Sequence, residues 1–223
     1  MSPNKNTNRS KKKSNKTLFL AIGIVAIILV GVAAYVLGGQ PGSPASTVTP
    51  SPTPSPVPSP NASPTRVLLQ TTAGNITLEL RTDKPITTTN FVNLIKEGLY
   101  DGTIFHRVMT GFMIQGGKND SATVATIPDE IGTNNRNTAY TIAMAKTSAP
   151  NSATSQFFIN VADNGQKCAP SFDATYTVFG QIISGKDVVD AIANASATAN
   201  PYNPSEISVP VHPVTVIKAT VLT

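Results

Sequence analysis

Residues 105–117, which read FHRVMTGFMIQGG, gather side chains that could do chemistry. Arg107 is a charged hydrogen-bond donor, and Gln115 is an amide that both donates and accepts. Met113 and Gln115 stand two positions apart, so a strand would place them on one face, and the glycine pair that follows would let a ligand approach closely. A donor beside large apolar side chains indicates a binding pocket, although a lone arginine is most often only a surface charge.

The chain offers little material for nucleophilic or metal chemistry. It has one cysteine, Cys168, and two histidines, His106 and His212. A single cysteine forms no internal disulfide, a cysteine nucleophile needs a histidine beside it, and a zinc site needs about four ligands. We therefore predict no metal site, and we interpret Cys168 as a tolerated loop residue.

Two later segments add candidates for the pocket, namely Gln156, Phe158, Phe172 and Tyr176. Packing in the core is the alternative for each of the aromatic residues. For Phe157 and Phe179 the sequence predicts core packing outright.

Short strands and two helices must position these residues. Residues 66–80 alternate apolar and polar side chains around Ala73-Gly74, which predicts a hairpin. Phe91, Leu94 and Ile95 have helical spacing, with threonines available to cap the helix and Gly98 to end it. Further segments predict strands (TIFHRVMTGFMIQGG, TAYTIAMAK, SQFFINVA, YTVFGQII), a second helix with Val188, Val189 and Ile192 inward (KDVVDAIANA), and a last pair of strands (VPVHPVTVIKATVLT). This pattern favours a closed β-barrel or a sandwich.

Charge divides the chain into a basic tail and a nearly neutral remainder. Six of the 17 Lys and Arg fall in residues 1–17, whereas all 12 Asp and Glu lie beyond residue 66. A nearly neutral folded part offers no basic face for nucleic acid, so we exclude a nucleic-acid partner.

The twenty uncharged residues 18–37 predict a transmembrane anchor, since a helix of that length spans roughly 30 Å. The positive tail precedes it, which predicts a single-pass protein with a cytoplasmic N-terminus and an extracytoplasmic folded domain. A cleaved signal peptide is the alternative. Residues 38–65 hold nine prolines and no charge, which indicates an extended or disordered linker. Residues 66–223 form the predicted folded domain.

The folded part resembles the cyclophilins, the peptidyl-prolyl cis/trans isomerases. YDGTIFHRVMTGFMIQGG, PNSATSQFFINVADN and YTVFGQIISGKDVVDAI stand in the family's order, and the likeness extends over residues 66–223. The resemblance implies a mainly-β fold, an eight-stranded antiparallel barrel capped by two helices. It also implies proline-containing segments of unfolded or exported proteins as partners, and no cofactor. We predict that the protein is a monomer.

The resemblance assigns roles by position. Arg107 matches the catalytic arginine, and Gln115 matches an amide that works beside it on the substrate backbone. The remaining matches are groove residues, three of them around the proline ring (Phe112, Met113, Phe158) and four beside it (Ala145, Gln156, Phe172, Tyr176).

The sequence departs from the family pattern in one wall of the groove. There is no Trp, and Phe172 follows an apparent insertion after INVADN. On this ground the domain could instead bind proline-containing segments without turning them over. A separate alternative is a stalked adhesin in which the domain is a structural head and is indifferent to substitution of Arg107.

Overall fold

The computed structural model describes residues 64–167 and 171–222. Its elements in chain order are β1 Arg66–Thr71, β2 Gly74–Leu80, α1 Pro85–Lys96, β3 Arg107–Met109, β4 Met113–Gly116, β5 Thr141–Met144, β6 Phe157–Asn160, a 3₁₀ turn Phe172–Ala174, β7 Val178–Ser184, α2 Lys186–Ala193, β8 Ala197–Asn200, β9 Asn203–Pro210 and β10 Val216–Leu222. The predicted tail, anchor and nearly all of the linker lie outside the described residues, as does Cys168. Within the described ranges, no helix is long and apolar enough to cross a membrane.

Eight strands form one antiparallel sheet in the order β10-β1-β2-β7-β5-β6-β4-β3. The predicted first hairpin is present: β1 and β2 pair from Arg66–Glu79 to Thr71–Gly74. Its alternating apolar residues point into the core (Val67, Leu69, Ile76, Leu78, Leu80). The turn itself is one residue earlier than predicted, because Gly74 already begins β2.

The sheet curls until its two edge strands meet. They are joined by an isolated bridge between Ile104 and Thr215, not by a strand ladder. Backbone hydrogen bonds beside it, from Phe105 N to Val214 O at 2.9 Å and from Val216 N to Thr103 O at 2.8 Å, complete the seam. The predicted closed barrel is therefore a curled eight-stranded sheet with an irregular last seam.

The predicted strand through residues 103–117 is wrong in one respect, because it is two strands. The Phe112 N–H donates to the Met109 carbonyl at 3.0 Å, and Gly111 adopts a φ of +69° in the turn. That left-handed conformation favours glycine, which explains why an apolar run reverses direction here. β3 and β4 then pair with Arg107 opposite Gln115.

Both predicted helices are present. Phe91, Leu94 and Ile95 are buried on α1, and Gly98 ends it with a φ of +73°. The predicted threonine cap is wrong, because the N–H groups of Ile86 and Thr87 donate to the Glu130 carboxylate, at 3.1 and 2.7 Å.

On α2, the prediction is right for Val189 and Ile192, which are buried. Val188 is only partly buried.

The last two predicted strands are present but do not pair with each other. β9 pairs with β8, which the sequence did not predict, and the two form a separate hairpin. β10 instead pairs with β1, so that Leu222 lies opposite Arg66. The first and last strands of the domain are therefore neighbours in the sheet.

Five aromatic rings fill the centre of the molecule and make up what we call the core cluster: Phe91, Tyr100, Phe105, Phe157 and Phe179. Their contacting centroids are 5.1 to 6.2 Å apart. The Tyr100 hydroxyl donates to the Ser155 carbonyl at 3.0 Å, which satisfies the cluster's one polar side-chain atom. The predicted core positions of Phe157 and Phe179 are confirmed.

Candidate active site

One surface pocket is lined by all nine of the site residues predicted from the sequence. They are Arg107, Phe112, Met113, Gln115, Ala145, Gln156, Phe158, Phe172 and Tyr176. Four further residues line it that the sequence did not single out: Lys146, Thr147, Ser152 and Thr154. The structure thus brings the predicted residues together, from segments up to 69 positions apart in the chain.

Strand pairing sets the central row of the pocket. Arg107 of β3 lies opposite Gln115 of β4, Gln115 lies opposite Phe158 of β6, and Phe158 lies opposite Ala143 of β5. Directly paired residues share a face of a sheet. The arginine, the amide and the aromatic ring therefore lie side by side on the outer face.

The floor of the pocket is apolar. Four aromatic rings, which we call the pocket cluster, contact one another there: Phe112, Phe158, Phe172 and Tyr176. Their contacting centroids lie 4.7 to 5.9 Å apart. Met113 is 2% exposed beneath them. Such a surface suits a compact apolar ring more than a charged group.

The polar side of the pocket is a chain of hydrogen bonds. The Gln115 amide donates through Nε2 to Oε1 of Gln156 at 3.0 Å. Arg107 Nη1 approaches Oε1 of Gln115 at 3.5 Å, a long and weak contact. Arg107 and Gln115 thus retain hydrogen-bonding capacity for a ligand.

The Glu206 carboxylate, which the sequence did not predict as a site residue, holds the Arg107 side chain. Glu206 of β9 accepts from Arg107 Nε and Nη2, both at 2.7 Å. The hydrogen bonds from Arg107 hold the pKa of the Glu206 carboxyl near 2, against the opposing effect of burial. The one sequence feature that could have drawn attention to Glu206 is that it is the sole acidic residue after Asp190.

Phe172, which follows the apparent insertion, reaches the pocket. Phe172 begins the 3₁₀ turn, and Asp173 beside it accepts from the Asn137 N–H at 2.6 Å. Asn135 reinforces the segment by donating to the carbonyls of Asp173 and Tyr176, at 2.7 and 2.8 Å. The wall that departs from the family pattern is thus built from Phe172 and anchored by buried asparagines.

The two histidines do not line the pocket. Burial, with a smaller effect from the charge of Lys118, lowers the pKa of His106 to about 4. His106 is therefore neutral at physiological pH. It lies just before β3, between Phe105 of the core cluster and Arg107 of the pocket.

The family description "Cyclophilin type peptidyl-prolyl cis-trans isomerase/CLD" matches residues 66–221. The chain belongs to the cyclophilin family. This is a family of isomerases, and the match covers nearly all of the described domain. The resemblance that the motifs indicated is confirmed.

Curated relatives of this cyclophilin domain bear the same name. A peptidyl-prolyl cis-trans isomerase of Acinetobacter baylyi is 48% identical over 159 residues, which are 69% of this chain and 83% of the relative. One from Streptomyces antibioticus is 44% identical over 165 residues, which are 70% of this chain and 98% of the relative. The second relative therefore consists of little more than the cyclophilin domain.

A solved structure shares the fold. The cyclophilin-type isomerase of Cryptosporidium parvum, crystallised in the presence of the dipeptide Ala-Pro, matches with a TM-score of 0.59 and 25% identity. The match covers 71% of this chain and 99% of that one.

Proposed function

We propose that this cyclophilin domain isomerises X-Pro bonds in extended segments of exported proteins, with Arg107 stabilising the twisted amide. The observation that carries the proposal is that Arg107 stands at the edge of an aromatic pocket, with an amide beside it and one guanidinium nitrogen only weakly engaged. The proline ring would occupy the pocket cluster, and Gln115 would bind the substrate backbone.

The chemistry needs no nucleophile. An X-Pro bond turns slowly because amide resonance must be lost, at a barrier of ~18 to 20 kcal/mol. When the amide twists, the prolyl nitrogen regains its lone pair and becomes a hydrogen-bond acceptor, which it is not in the planar ground state. A donor at that position binds the transition state more tightly than the substrate, and such differential binding is what accelerates a reaction.

The energy required is modest. A tenfold acceleration requires about 1.4 kcal/mol, so a thousandfold acceleration requires about 4 kcal/mol. A preorganised donor at a site of developing charge typically contributes 10²- to 10³-fold. The aromatic floor excludes water and strengthens the hydrogen bond further, because the local dielectric constant is low.

The first test is acceleration of cis-to-trans relaxation in an Ala-Pro tetrapeptide by the domain that begins at Arg66. We expect Arg107→Ala to lower kcat/KM at least about 100-fold. Because that change leaves Glu206 without its partner, Arg107→Lys is the matched variant: it retains the positive charge and removes the guanidinium fork. We expect both variants to lose activity.

The outcomes separate the proposed activity from its alternatives. A folded parent that does not accelerate relaxation would refute the isomerase proposal. Tight binding of the same peptide would then favour a proline-binding module without turnover. An active parent whose activity survives both Arg107 variants would refute only the role of the arginine.

We further propose that the domain acts outside the cytoplasm as a monomer tethered by residues 18–37. The support for this location is the sequence alone: an apolar run that follows a basic tail and precedes a proline-rich linker. The test is to express the full chain in bacterial cells and extract the membranes at alkaline pH. We expect the domain to remain in the membrane fraction. We also expect a protease added outside the inner membrane to digest it. A shortened, freely released domain would instead support a cleaved signal peptide.

A further inference from the structure

We propose that Glu206 is the positioning residue of the site, holding the Arg107 guanidinium so that Nη1 faces the pocket; this rests on the proposed isomerase function. Glu206 lies outside the three family motifs of the sequence, and no sequence pattern predicted its role. It enters the site from β9, outside the eight-stranded sheet.

The geometry of the pair fixes the arginine's plane. Nε and Nη2 of Arg107 each donate to a different oxygen of Glu206, at 2.7 Å. Two parallel hydrogen bonds between planar groups define their relative orientation, which a single bond does not. The third nitrogen, Nη1, is then directed toward Gln115 Oε1 at 3.5 Å. The carboxylate therefore occupies two of the three nitrogens and leaves the pocket-facing one for a ligand.

Glu206 is itself held in place. The Ser208 hydroxyl donates to Glu206 Oε1 at 2.6 Å, and Asn200 Nδ2 approaches the same oxygen at 3.4 Å. Ser208 is completely buried, and the Glu206 side chain is only 13% exposed. The β8–β9 hairpin packs against β3 and so functions as a support behind the arginine.

A second arginine in the domain shows why the arrangement at Arg107 is different. Arg81 makes the same two-bond pair with Asp83, at 2.8 and 2.6 Å. Its Nη1, however, donates to the Asn134 carbonyl at 2.9 Å, so that all three of its nitrogens have close acceptors. Of these two paired arginines, only Arg107 has its Nη1 without a close acceptor and next to an apolar pocket. Arg81 and Asp83 therefore provide a matched control.

Holding a guanidinium rigidly favours catalysis because an arginine has several rotatable bonds that must otherwise be ordered in each transition state. Preorganised donors avoid this cost at the moment of reaction. The role we assign to Glu206 therefore affects kcat more than substrate affinity. The carboxylate stays ionised in all ordinary assay buffers, since the Arg107 hydrogen bonds hold its pKa near 2.

The test compares Glu206→Gln with Asp83→Asn in the tetrapeptide assay. Glutamine keeps the size of the side chain but cannot accept both hydrogen bonds, so we expect kcat to fall at least about tenfold with KM changed less than about twofold. Glu206→Asp keeps the charge on a shorter side chain, and we expect its kcat to lie between those of the parent and Glu206→Gln. The Asp83→Asn variant should match the parent.

A second measurement does not depend on activity. In ¹⁵N spectra, the Arg107 Nε–H, assigned by its absence in Arg107→Lys, should exchange slowly with solvent in the parent. It should exchange rapidly in Glu206→Gln. A folded Glu206→Gln variant with slow exchange and parental kcat would overturn the positioning role, and so would an increase in kcat.

The two proposals fail in different ways. An inactive parent with slow Arg107 Nε–H exchange would remove the isomerase function and show only a structural ion pair. An active parent that loses activity in Arg107→Lys but not in Glu206→Gln would leave the isomerase function intact and refute this inference. In the double variant Arg107→Lys/Glu206→Gln, we expect no loss beyond that of Arg107→Lys, whereas independent losses would also refute it.

Discussion

Phe157 and Phe158 are consecutive residues of β6, yet they belong to different aromatic clusters. The ring of Phe157 contacts Phe91, Tyr100 and Phe105 inside the sheet, where α1 covers the core. The ring of Phe158 contacts Phe172 and Tyr176 on the outer face, where the cluster lines an open pocket. The core cluster is enclosed by protein, whereas the pocket cluster has one side left for a ligand.

The comparison teaches that burial alone does not distinguish a core residue from a site residue. Phe157 is 1% exposed and Phe158 is 5% exposed, which is nearly the same. What differs is the neighbourhood: polar side chains such as Gln115 and Arg107 border the pocket cluster, while the residues packed around the core cluster are mainly apolar. Substitutions on the two faces should therefore affect different properties.

The largest expected effect is a loss of stability on substitution of a residue in the core cluster. Phe157→Ala would leave a cavity beside three buried rings, so we expect a loss of about 3–5 kcal/mol in the free energy of unfolding. Urea denaturation followed by circular dichroism measures it. At a temperature where the variant is folded, its affinity for a proline peptide should change little. A loss below about 1 kcal/mol would contradict the enclosed character of this cluster.

The adjacent substitution provides the matched comparison. Phe158→Ala removes one of the four rings that form the pocket floor, so we expect peptide affinity to fall about tenfold or more. The free energy of unfolding should fall by less than in Phe157→Ala, since part of the ring faces the open pocket. Titration calorimetry with the tetrapeptide measures the affinity. The distinction between the two clusters would be lost if Phe158→Ala reduced stability more than Phe157→Ala.

The smallest effect concerns pH and stability. His106 has a pKa of about 4 in the folded chain, against 6.5 for the free side chain. The unfolded chain therefore binds more protons between these values, and stability falls as pH decreases from about 6.5 toward 4. Because the imidazole is only partly buried, we expect a contribution on the order of 1 kcal/mol.

The measurement compares the parent with His106→Gln by urea denaturation at pH 7 and pH 4.5. The parent should lose more stability than the variant, since carboxylates titrate in both and cancel in the difference. We expect kcat not to fall together with stability over this pH range, because the Glu206 carboxyl has a pKa of about 2 and stays ionised. An equal loss of stability in both proteins would mean that His106 contributes nothing.

Local patterns were sufficient to predict much of the fold. Alternation predicted the first hairpin, and helical spacing predicted the buried faces of α1 and α2. The pocket residues were located by the resemblance, since no local pattern separates Phe158 from Phe157. The local pattern did not predict the turn at Gly111, where one glycine in a mostly apolar segment divides the expected strand in two.

The remaining misses involve partners that are distant in the chain. Glu206 lies 99 positions from Arg107, and the carboxylate that caps α1 lies 44 positions from Ile86. A threonine-rich helix start indicates a local cap, but the hydroxyl of Thr88 donates instead to the Lys84 carbonyl at 2.8 Å. Such long-range pairings depend on how the sheet curls. The curl of the sheet cannot be predicted directly from residue types and their spacing.

The pairing of β1 with β10 has a consequence for how the protein is made. Arg66 needs Leu222 as its neighbour, so the sheet cannot close while the chain is still being synthesised. Until the last strand emerges, one edge of β1 stays open, and open strand edges are templates for wrong pairing. A catalyst of folding would thus have a domain whose own folding finishes only after its last strand has emerged.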